Sequence, residues 1–341
     1  MKVLHTSFQS PDFITPFRAL PNNINDAIET LGHELSTYDD RKYLVPGRLR
    51  QAVSFFEHID LKRINHGLCV KVKRERPDVC LISNGIRIFP STAKFIRSLG
   101  VKTALWTTDP PAKFDGIIEL AKDCDVVMCA GSEAIEILHK KGVTHAALLP
   151  FACDPIFHKK VDMSDEERAH YAHDVVFVGS QYPNREKVLE LLANCGLAIW
   201  GPGWERLSND LPLKNCIQGG ALQTEEWTRL FSASKIVLEV IYQDAVVPCH
   251  QTSMRIFEAL ACESFVMTDN LADAPGIFTD KEHLVFFSGA DDLCKKVKYY
   301  LEHEDERRAI ARKGHELVVT QHTYIHRMQT LLKYCNGESR E

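Results

Sequence analysis

The chain lacks several short motifs that mark well-known classes of enzyme. It has no Gly-x-Ser-x-Gly motif, no P-loop, and no His-x-x-x-His pair with a glutamate beside it. These absences disfavour a serine hydrolase of the α/β type, a P-loop NTPase and a zinc hydrolase. The eleven cysteines are scattered, odd in number and nowhere spaced Cys-x-x-Cys. We therefore expect free thiols in a reducing cytoplasm rather than a disulfide framework.

Long apolar runs and strong charge of one sign are also missing. No segment reaches the ~18–20 consecutive apolar residues that a membrane helix needs. The segment Met1–Ser7 has too few apolar residues for a signal peptide. The formal net charge is −5 and no basic run stands out. A nucleic-acid partner is therefore not expected.

The length and composition indicate a globular protein of two domains. The chain has 341 residues, of which 45% are hydrophobic and 26% charged. Because a single core rarely grows to this size, two domains of about 150 residues each are expected.

Short apolar runs alternate with helical segments along both halves of the chain. In the first half we predict strands near residues 2–6, 34–38, 78–83, 102–108, 125–130 and 146–150. In the second half we predict strands at 175–178, 197–200, 236–240, 265–268 and 284–287. Such alternation predicts an α/β protein with two doubly wound parallel sheets.

The predicted boundaries place one domain at residues 1–155 and another at 172–320, joined by a polar segment. Residues 321–341 are predicted to form a C-terminal helix that packs back on the first domain. We expect ligands at the carboxyl ends of the strands, since that is where doubly wound sheets bind them.

The segment Thr252–Asn270 carries the strongest functional signal. Thr252 and Ser253 favour a helix start before Met254, where unpaired backbone N–H groups attract an anion such as a phosphate. Arg255 adds a positive charge, and Glu258 lies on the same helix face and could accept hydrogen bonds from a ribose diol. The alternative is an ordinary helix with an Arg–Glu surface pair.

Several motifs in a fixed order make this signal specific. They are Trp106–Pro111, Leu149–Pro155, Asp174–Arg185, Leu197–Trp204, Arg255–Cys262, Tyr299–Arg307, Ala309–Gly314 and His322–Tyr324. Over most of its length, from about residue 75 to 332, the chain resembles CgeB-type spore-maturation glycosyltransferases of glycosyltransferase group 1. The resemblance implies a GT-B fold, in which two Rossmann-like domains face a cleft. It also implies transfer of a sugar from a nucleoside diphosphate to an acceptor hydroxyl, with retention of configuration.

The donor site implied by this resemblance lies in the C-terminal half. Arg185 and the Thr252–Arg255 helix start are expected to bind the diphosphate, and Glu258 the ribose. Gly179 and Gly201 follow strand ends, where a glycine lets the backbone approach a ligand. Trp204 could pack on the base or support its own loop.

Candidate catalytic residues are less clearly marked. Asp109 follows a predicted strand of the first half and could accept the acceptor's hydroxyl proton or cap a turn. His250 stands eight residues before Glu258, where these enzymes often have a glutamate. His5 and Asn84 are weaker acceptor-side candidates. Glu263 stands where a glycine commonly closes the helix.

No metal or other cofactor is expected. Asp123 and Asp125 form an Asp-x-Asp pattern, but it precedes a strand and so lies at the wrong end of the sheet for the ligand site. The expected partners are a nucleotide-sugar donor and a carbohydrate, protein or small-molecule acceptor. Two alternatives remain open: a nucleotide-sugar 2-epimerase of the same fold, and a non-catalytic nucleotide-sugar-binding protein, which the histidine at position 250 favours.

Overall fold

The computed structural model describes residues 1–8, 20–43, 54–108, 115–243 and 248–338. They divide into two compact units. The first contains residues up to 150 together with 324–338, and the second contains residues 151–243 and 248–323. No helix in these ranges combines the length and apolar content needed to cross a membrane.

The first unit is built on a six-stranded parallel sheet of order β2-β1-β3-β4-β5-β6. Its strands are β1 (Lys2–Ser7), β2 (Glu34–Asp39), β3 (Val79–Ser83), β4 (Lys102–Thr107), β5 (Val126–Cys129) and β6 (Ala146–Leu148). Its helices are α1 (Leu20–Thr30), α2 (Ser54–Glu75), α3 (Pro90–Ser98), α4 (Asp115–Ala121), α5 (Ser132–Lys140) and α12 (Tyr324–Cys335). Every residue of β3 is buried, as expected for a central strand covered on both faces.

The second unit is also a six-stranded parallel sheet, of order β12-β11-β10-β7-β8-β9. Its strands are β7 (Val175–Val178), β8 (Leu197–Trp200), β9 (Ile217–Gly219), β10 (Ile236–Glu239), β11 (Val266–Asp269) and β12 (Val285–Phe287). Its helices are α6 (Asp165–Tyr171), α7 (Pro183–Glu190), α8 (Thr224–Ala233), α9 (Met254–Ala261), α10 (Gly289–Glu302) and α11 (Glu304–Gln321). Apolar clusters cover both faces of the sheet.

The strand order of the second unit fixes where a ligand can enter. From β7 the chain adds β8 and β9 on one side, then returns to add β10, β11 and β12 on the other. The loops after β7 and β10 therefore diverge, which leaves a crevice at the carboxyl ends of these two strands. Open α/β sheets bind their ligands at such a switch point.

Every predicted strand is present, and the α/β class with two doubly wound sheets is confirmed. The elements that were not predicted include α4, the three-residue β9, and α6, which lies in the polar segment taken as a connection. Ser164 caps α6 through a capping box with Glu167, a local signal that the acidic composition of this segment obscured.

The chain leaves the second unit between α11 and α12. The structure divides the units at 150/151 and 323/324, compared with predicted limits at 155, 172 and 320. In the first unit, Arg327 Nε donates to the carbonyl oxygen of Pro150 at 2.8 Å, and the Tyr324 ring lies 6.4 Å from that of Trp106. These contacts hold α12 beside the first sheet.

Candidate functional site

The start of α9 lies at the edge of the switch-point crevice of the second unit. Ser253 has an extended backbone, and its hydroxyl accepts the amide N–H of Arg255 at 3.2 Å. The amide N–H of Met254 has no hydrogen-bond partner within the described residues. Thr252 is buried, and its Oγ1 has no partner there either. This helix start therefore has unused polar groups beside the positive end of its dipole.

Arg255 links α9 to the end of β7. Its Nη1 donates to the carbonyl oxygen of Val178 at 2.6 Å, and its Nε donates to Glu258 Oε2 at 3.2 Å. The guanidinium also lies over the Trp227 ring, 5.6 Å from its centroid. Within the described residues Nη2 has no hydrogen-bond partner, and the side chain remains 25% exposed. Arg255 is thus fixed in place but can still donate to a ligand.

Glu258 is buried, with only 3% of its surface exposed. Besides Arg255, it faces His158, whose Nε2 lies 3.7 Å from Glu258 Oε1. His158 Nδ1 accepts the amide N–H of Asp154 at 3.0 Å. In a neutral ring the proton must then sit on Nε2, the nitrogen nearer to the carboxylate. Arg255 thus holds the carboxylate by a hydrogen bond, and His158 lies beside it. His158 could not be predicted as a site residue, since only the fold brings it to α9.

Arg185 lies deeper than the predicted diphosphate contact requires. Its Nε donates to the carbonyl oxygen of Val240 at 2.7 Å and its Nη1 to that of Ser180 at 2.9 Å. Its Nη2 lies 3.6 Å from Glu239 Oε1, and the side chain is only 11% exposed. This placement corrects the expectation that Arg185 is free to bind a ligand: its donors hold together the loops after β7 and β10.

Two carboxylates at the same strand ends were not predicted. Burial raises the pKa of Glu239, the last residue of β10, to about 7, although Arg185 and Arg255 oppose the shift. Burial likewise raises the pKa of Asp269, at the end of β11, to about 6. Asp269 Oδ2 accepts the amide N–H of Ile241 at 2.8 Å. Glu239 could have been singled out from the sequence, because a carboxylate inside an apolar strand suggests a perturbed pKa and a functional site.

The loops after β7 and β8 contact each other through glycine. Gly201 has φ +144°, and a Cβ atom there would lie 2.0 Å from the carbonyl oxygen of Gly179. Trp204 is fully buried, and its Nε1 donates to that same carbonyl at 2.8 Å. Stacking of Trp204 on a base is therefore wrong for this conformation, because no ring face is exposed. The alternative role, support of the loop, agrees with these contacts.

Of the two predicted catalytic residues, the structure describes His250 but not Asp109. His250 is half-buried and its carbonyl oxygen accepts the amide N–H of Asp273 at 3.3 Å. Asp109 lies outside the described residues. In the first unit, the ring nitrogens of His5 lie 2.6 Å from Asn25 Oδ1 and 2.7 Å from Ser83 Oγ. Burial lowers the pKa of His5 to about 4, so its ring is neutral at physiological pH.

The Asp-x-Asp pattern has structural partners. Asp125 Oδ2 accepts the amide N–H and hydroxyl of Thr103, both at 2.9 Å, and Oδ1 accepts Arg97 Nε at 3.1 Å. Asp123 pairs with Lys94 at 3.5 Å. Asp125 directly precedes β5 and so stands at its amino end. No cluster of three potential metal ligands occurs in the part of the chain that the structure describes.

Comparison with known proteins shows relatives in sequence and in fold. Residues 180–333 match the family described as glycosyl transferase-like. The chain is 20% identical to the spore protein CgeB of Bacillus subtilis (strain 168) over 269 residues, covering 75% of this chain and 82% of CgeB.

Solved structures show the same architecture. Sucrose-phosphate synthase from Thermosynechococcus elongatus superposes with a TM-score of 0.71 at 11% identity, covering 99% of this chain and 100% of that one. Anabaena Alr3699/HepE, in complex with UDP-glucose, gives 0.69 at 11% identity with the same coverage.

The two parallel sheets give the chain the GT-B fold of these structures, as the sequence motifs predicted. The predicted resemblance to CgeB and to the glycosyl transferase-like family is confirmed by both matches.

Proposed function

We propose that the protein transfers a sugar from a nucleoside-diphosphate donor to an acceptor hydroxyl, and that the second unit binds the donor at the start of α9. The observation that carries this proposal is the arrangement of Arg255 and Glu258 at the switch-point crevice. One offers an unused guanidinium nitrogen and the other an oriented, buried carboxylate, both on the first turns of one helix.

The diphosphate would lie at the amino end of α9. The free amide N–H of Met254, the helix dipole and Arg255 Nη2 all favour negative charge at this point. Because Arg255 is already held by Val178 and Glu258, little side-chain freedom is lost when it binds a phosphate oxygen.

The ribose would lie one turn further along, at Glu258. Its carboxylate can accept two hydroxyl hydrogen bonds, and such bonds to a charged acceptor are strong. The hydrogen bond from Arg255 fixes the orientation of the carboxylate before the ligand arrives, and His158 Nε2 lies 3.7 Å from its other oxygen. A lone carboxylate in this buried position would otherwise be costly.

The same groups that bind the diphosphate would stabilise the charge that develops on it as the sugar leaves. We propose on this basis that no metal ion is needed. Retention of configuration follows from the resemblance to group 1 transferases. UDP and UDP-glucose are suitable first probes, because HepE, which shares the fold, was crystallised with them.

We assign the acceptor to the first unit, with Asp109 as the base or orienting carboxylate. His250, which belongs to the second unit, is the next candidate for the base. We also propose that the enzyme works in the cytoplasm. All eleven cysteines are free thiols, which supports a reducing compartment.

The test combines binding with turnover. Calorimetry with UDP should show that Glu258→Gln weakens binding by about 1–3 kcal/mol, the scale of a hydrogen bond to a charged group. Glu190→Gln, at an exposed position of α7, is the matched control and should bind like the wild type.

Turnover of a radiolabelled UDP-sugar, with and without an acceptor, separates the proposed activity from its alternatives. Acceptor-dependent release of nucleotide supports a transferase. Chemical change of the donor's own sugar without an acceptor indicates an epimerase, and binding without any change indicates a non-catalytic protein.

A further inference from the structure

The second unit has a cavity at the amino ends of its strands, the end of the sheet opposite to the start of α9. It has a volume of about 590 Å³ and is formed around Lys235, which precedes β10, and Phe265, which precedes β11. Helix α11 closes one side. The four residues of β10 separate Lys235 from the site at its carboxyl end, a distance of roughly 13 Å along the strand. This basic cavity is therefore distinct from the proposed donor site.

Its lining is strongly positive although the protein as a whole carries a net charge of −5. The cationic side chains are Lys160, Arg168, Lys235, Arg307, Arg308 and Arg312. Against these six stand the carboxylates of Glu263 and Glu304, which leaves four positive charges in excess. So much charge of one sign in a concave site concentrates anions there.

Only part of this charge is neutralised by neighbouring side chains. Three of the cations have carboxylate partners in the structure: Lys160–Glu263 at 3.0 Å, Lys235–Asp174 at 2.7 Å and Arg308–Glu304 at 2.5 Å. The other three, Arg168, Arg307 and Arg312, form no ion pair with any described carboxylate.

Arg307 lines the cavity with a buried side chain that is already held in place. It is 6% exposed, and its Nη1 donates to the carbonyl oxygen of Tyr300. Burial lowers the pKa of Arg307, and the charges of Glu304 and Asp174 oppose the shift; a guanidinium remains charged in proteins. Because neither carboxylate forms a direct ion pair with this buried charge, an anion that reached it would gain more than at an exposed arginine.

We propose that the basic cavity binds a phosphate-bearing small molecule. Arginine forks match the oxygens of a phosphate group, and three of them lie here without a carboxylate partner. The buried side chains of Phe231, Phe265 and Ala311 supply apolar wall for a carbon skeleton. The phosphate could come from a soluble ester or from a lipid headgroup, which share this chemistry.

The test uses charge reversal at two accessible positions, Arg168→Glu and Arg312→Glu combined, which spares the buried Arg307. Pyrophosphate is the probe, titrated by calorimetry at fixed ionic strength. Lys298→Glu makes the same kind of charge change on exposed α10, away from the cavity. We expect wild type and Lys298→Glu to share one affinity, and the double variant to lose at least about tenfold, the scale of one lost charge-assisted contact.

Pyrophosphate can also reach the start of α9, so the titration is repeated in an Arg255→Ala background. There the proposal predicts that binding persists and that the double substitution abolishes it. Loss of binding from Arg255→Ala alone, with none added by the double substitution, would overturn the basic cavity while leaving the proposed donor site intact.

Flotation with vesicles containing phosphatidate distinguishes the two sources. If the double variant loses vesicle binding that Lys298→Glu keeps, the ligand is a headgroup; if only pyrophosphate binding changes, it is a soluble ester. Equal behaviour of the double variant and Lys298→Glu in both assays would show that the cavity binds no phosphate.

Discussion

Two arginines of the second unit differ in what they can still donate, and this difference predicts different effects of their substitution on nucleotide binding. Arg255 has Nη2 available and is 25% exposed, whereas all three nitrogens of Arg185 face partners inside the protein and its side chain is 11% exposed. We therefore expect Arg255→Ala to weaken nucleotide binding, and Arg185→Ala to lower stability without weakening nucleotide binding in the folded protein.

The magnitudes follow from the contacts. A hydrogen bond from Arg255 to a phosphate oxygen contributes about 1.5–3 kcal/mol, so its loss should weaken UDP binding about 10- to 150-fold. Arg185→Ala removes two hydrogen bonds to carbonyl oxygens and the cation beside buried Glu239. Removing one partner of such a buried pair costs about 3–5 kcal/mol.

Calorimetry with UDP and thermal unfolding of the free protein measure the two effects separately. Arg255→Ala should have a much higher Kd for UDP, and it should also lower Tm because buried Glu258 loses its hydrogen-bond partner. Arg185→Ala should lower Tm but, where it folds, bind UDP like the wild type. The reasoning would be refuted if Arg255→Ala bound UDP like the wild type while a folded Arg185→Ala did not.

Four further predictions concern stability and turnover. Because the pKa of Glu239 is raised to about 7, the native state holds this proton more tightly than the unfolded state, and the stability it contributes is lost as pH rises from about 4.5 to 7. Glu239→Gln should flatten that part of the stability profile, measured by denaturant titration at each pH, whereas Glu190→Gln should leave it unchanged. Gly201→Ala should lower the free energy of unfolding by about 2–4 kcal/mol because its Cβ would meet the backbone; Gly220→Ala, with open space around it, should have a much smaller effect. Transferase activity should survive EDTA, and complete loss that Mn²⁺ or Mg²⁺ restores would show a metal requirement. Asp109→Asn should leave the Kd for UDP intact but lower turnover ~10²-fold or more if this residue is the base, and full activity would remove it from the mechanism.

The fold could be predicted because its signals are local. Runs such as Val175–Val178 and Leu197–Trp200 are apolar over four residues and bounded by polar or glycine residues, which marks buried strands. The structure has both strands at these bounds. The helix start at Ser253 was predictable for the same reason, since capping depends on neighbouring residues. The strand β9 could not be predicted, because three residues are too few to form a recognisable apolar pattern.

What the sequence could not show depends on contacts between distant residues. His158 and Glu258 are a hundred positions apart, and only the packing of the second unit brings them together. Arg185 matched the expected position for a phosphate contact, but two of its partners, Glu239 and Val240, lie at the distant end of β10 and in the loop that follows it. The raised pKa of Glu239 likewise arises from burial that no motif encodes.

Glu263 has one feature that the sequence predicts and one that it does not. The sequence indicated that it replaces the usual helix-closing glycine, and the structure shows it with φ +57°, in the left-handed region that favours glycine. That Lys160 pairs with its carboxylate at 3.0 Å could not be predicted, since the lysine lies in the segment before α6.

The central claim is that a nucleoside diphosphate binds with its phosphates at the start of α9. Crystals soaked with a panel of nucleoside diphosphates, UDP first, test it most directly. The account predicts phosphate oxygens within hydrogen-bond distance of Met254 N and Arg255 Nη2, and ribose hydroxyls at Glu258. A nucleotide bound elsewhere, with Glu258 still paired only to Arg255 and His158, would contradict it.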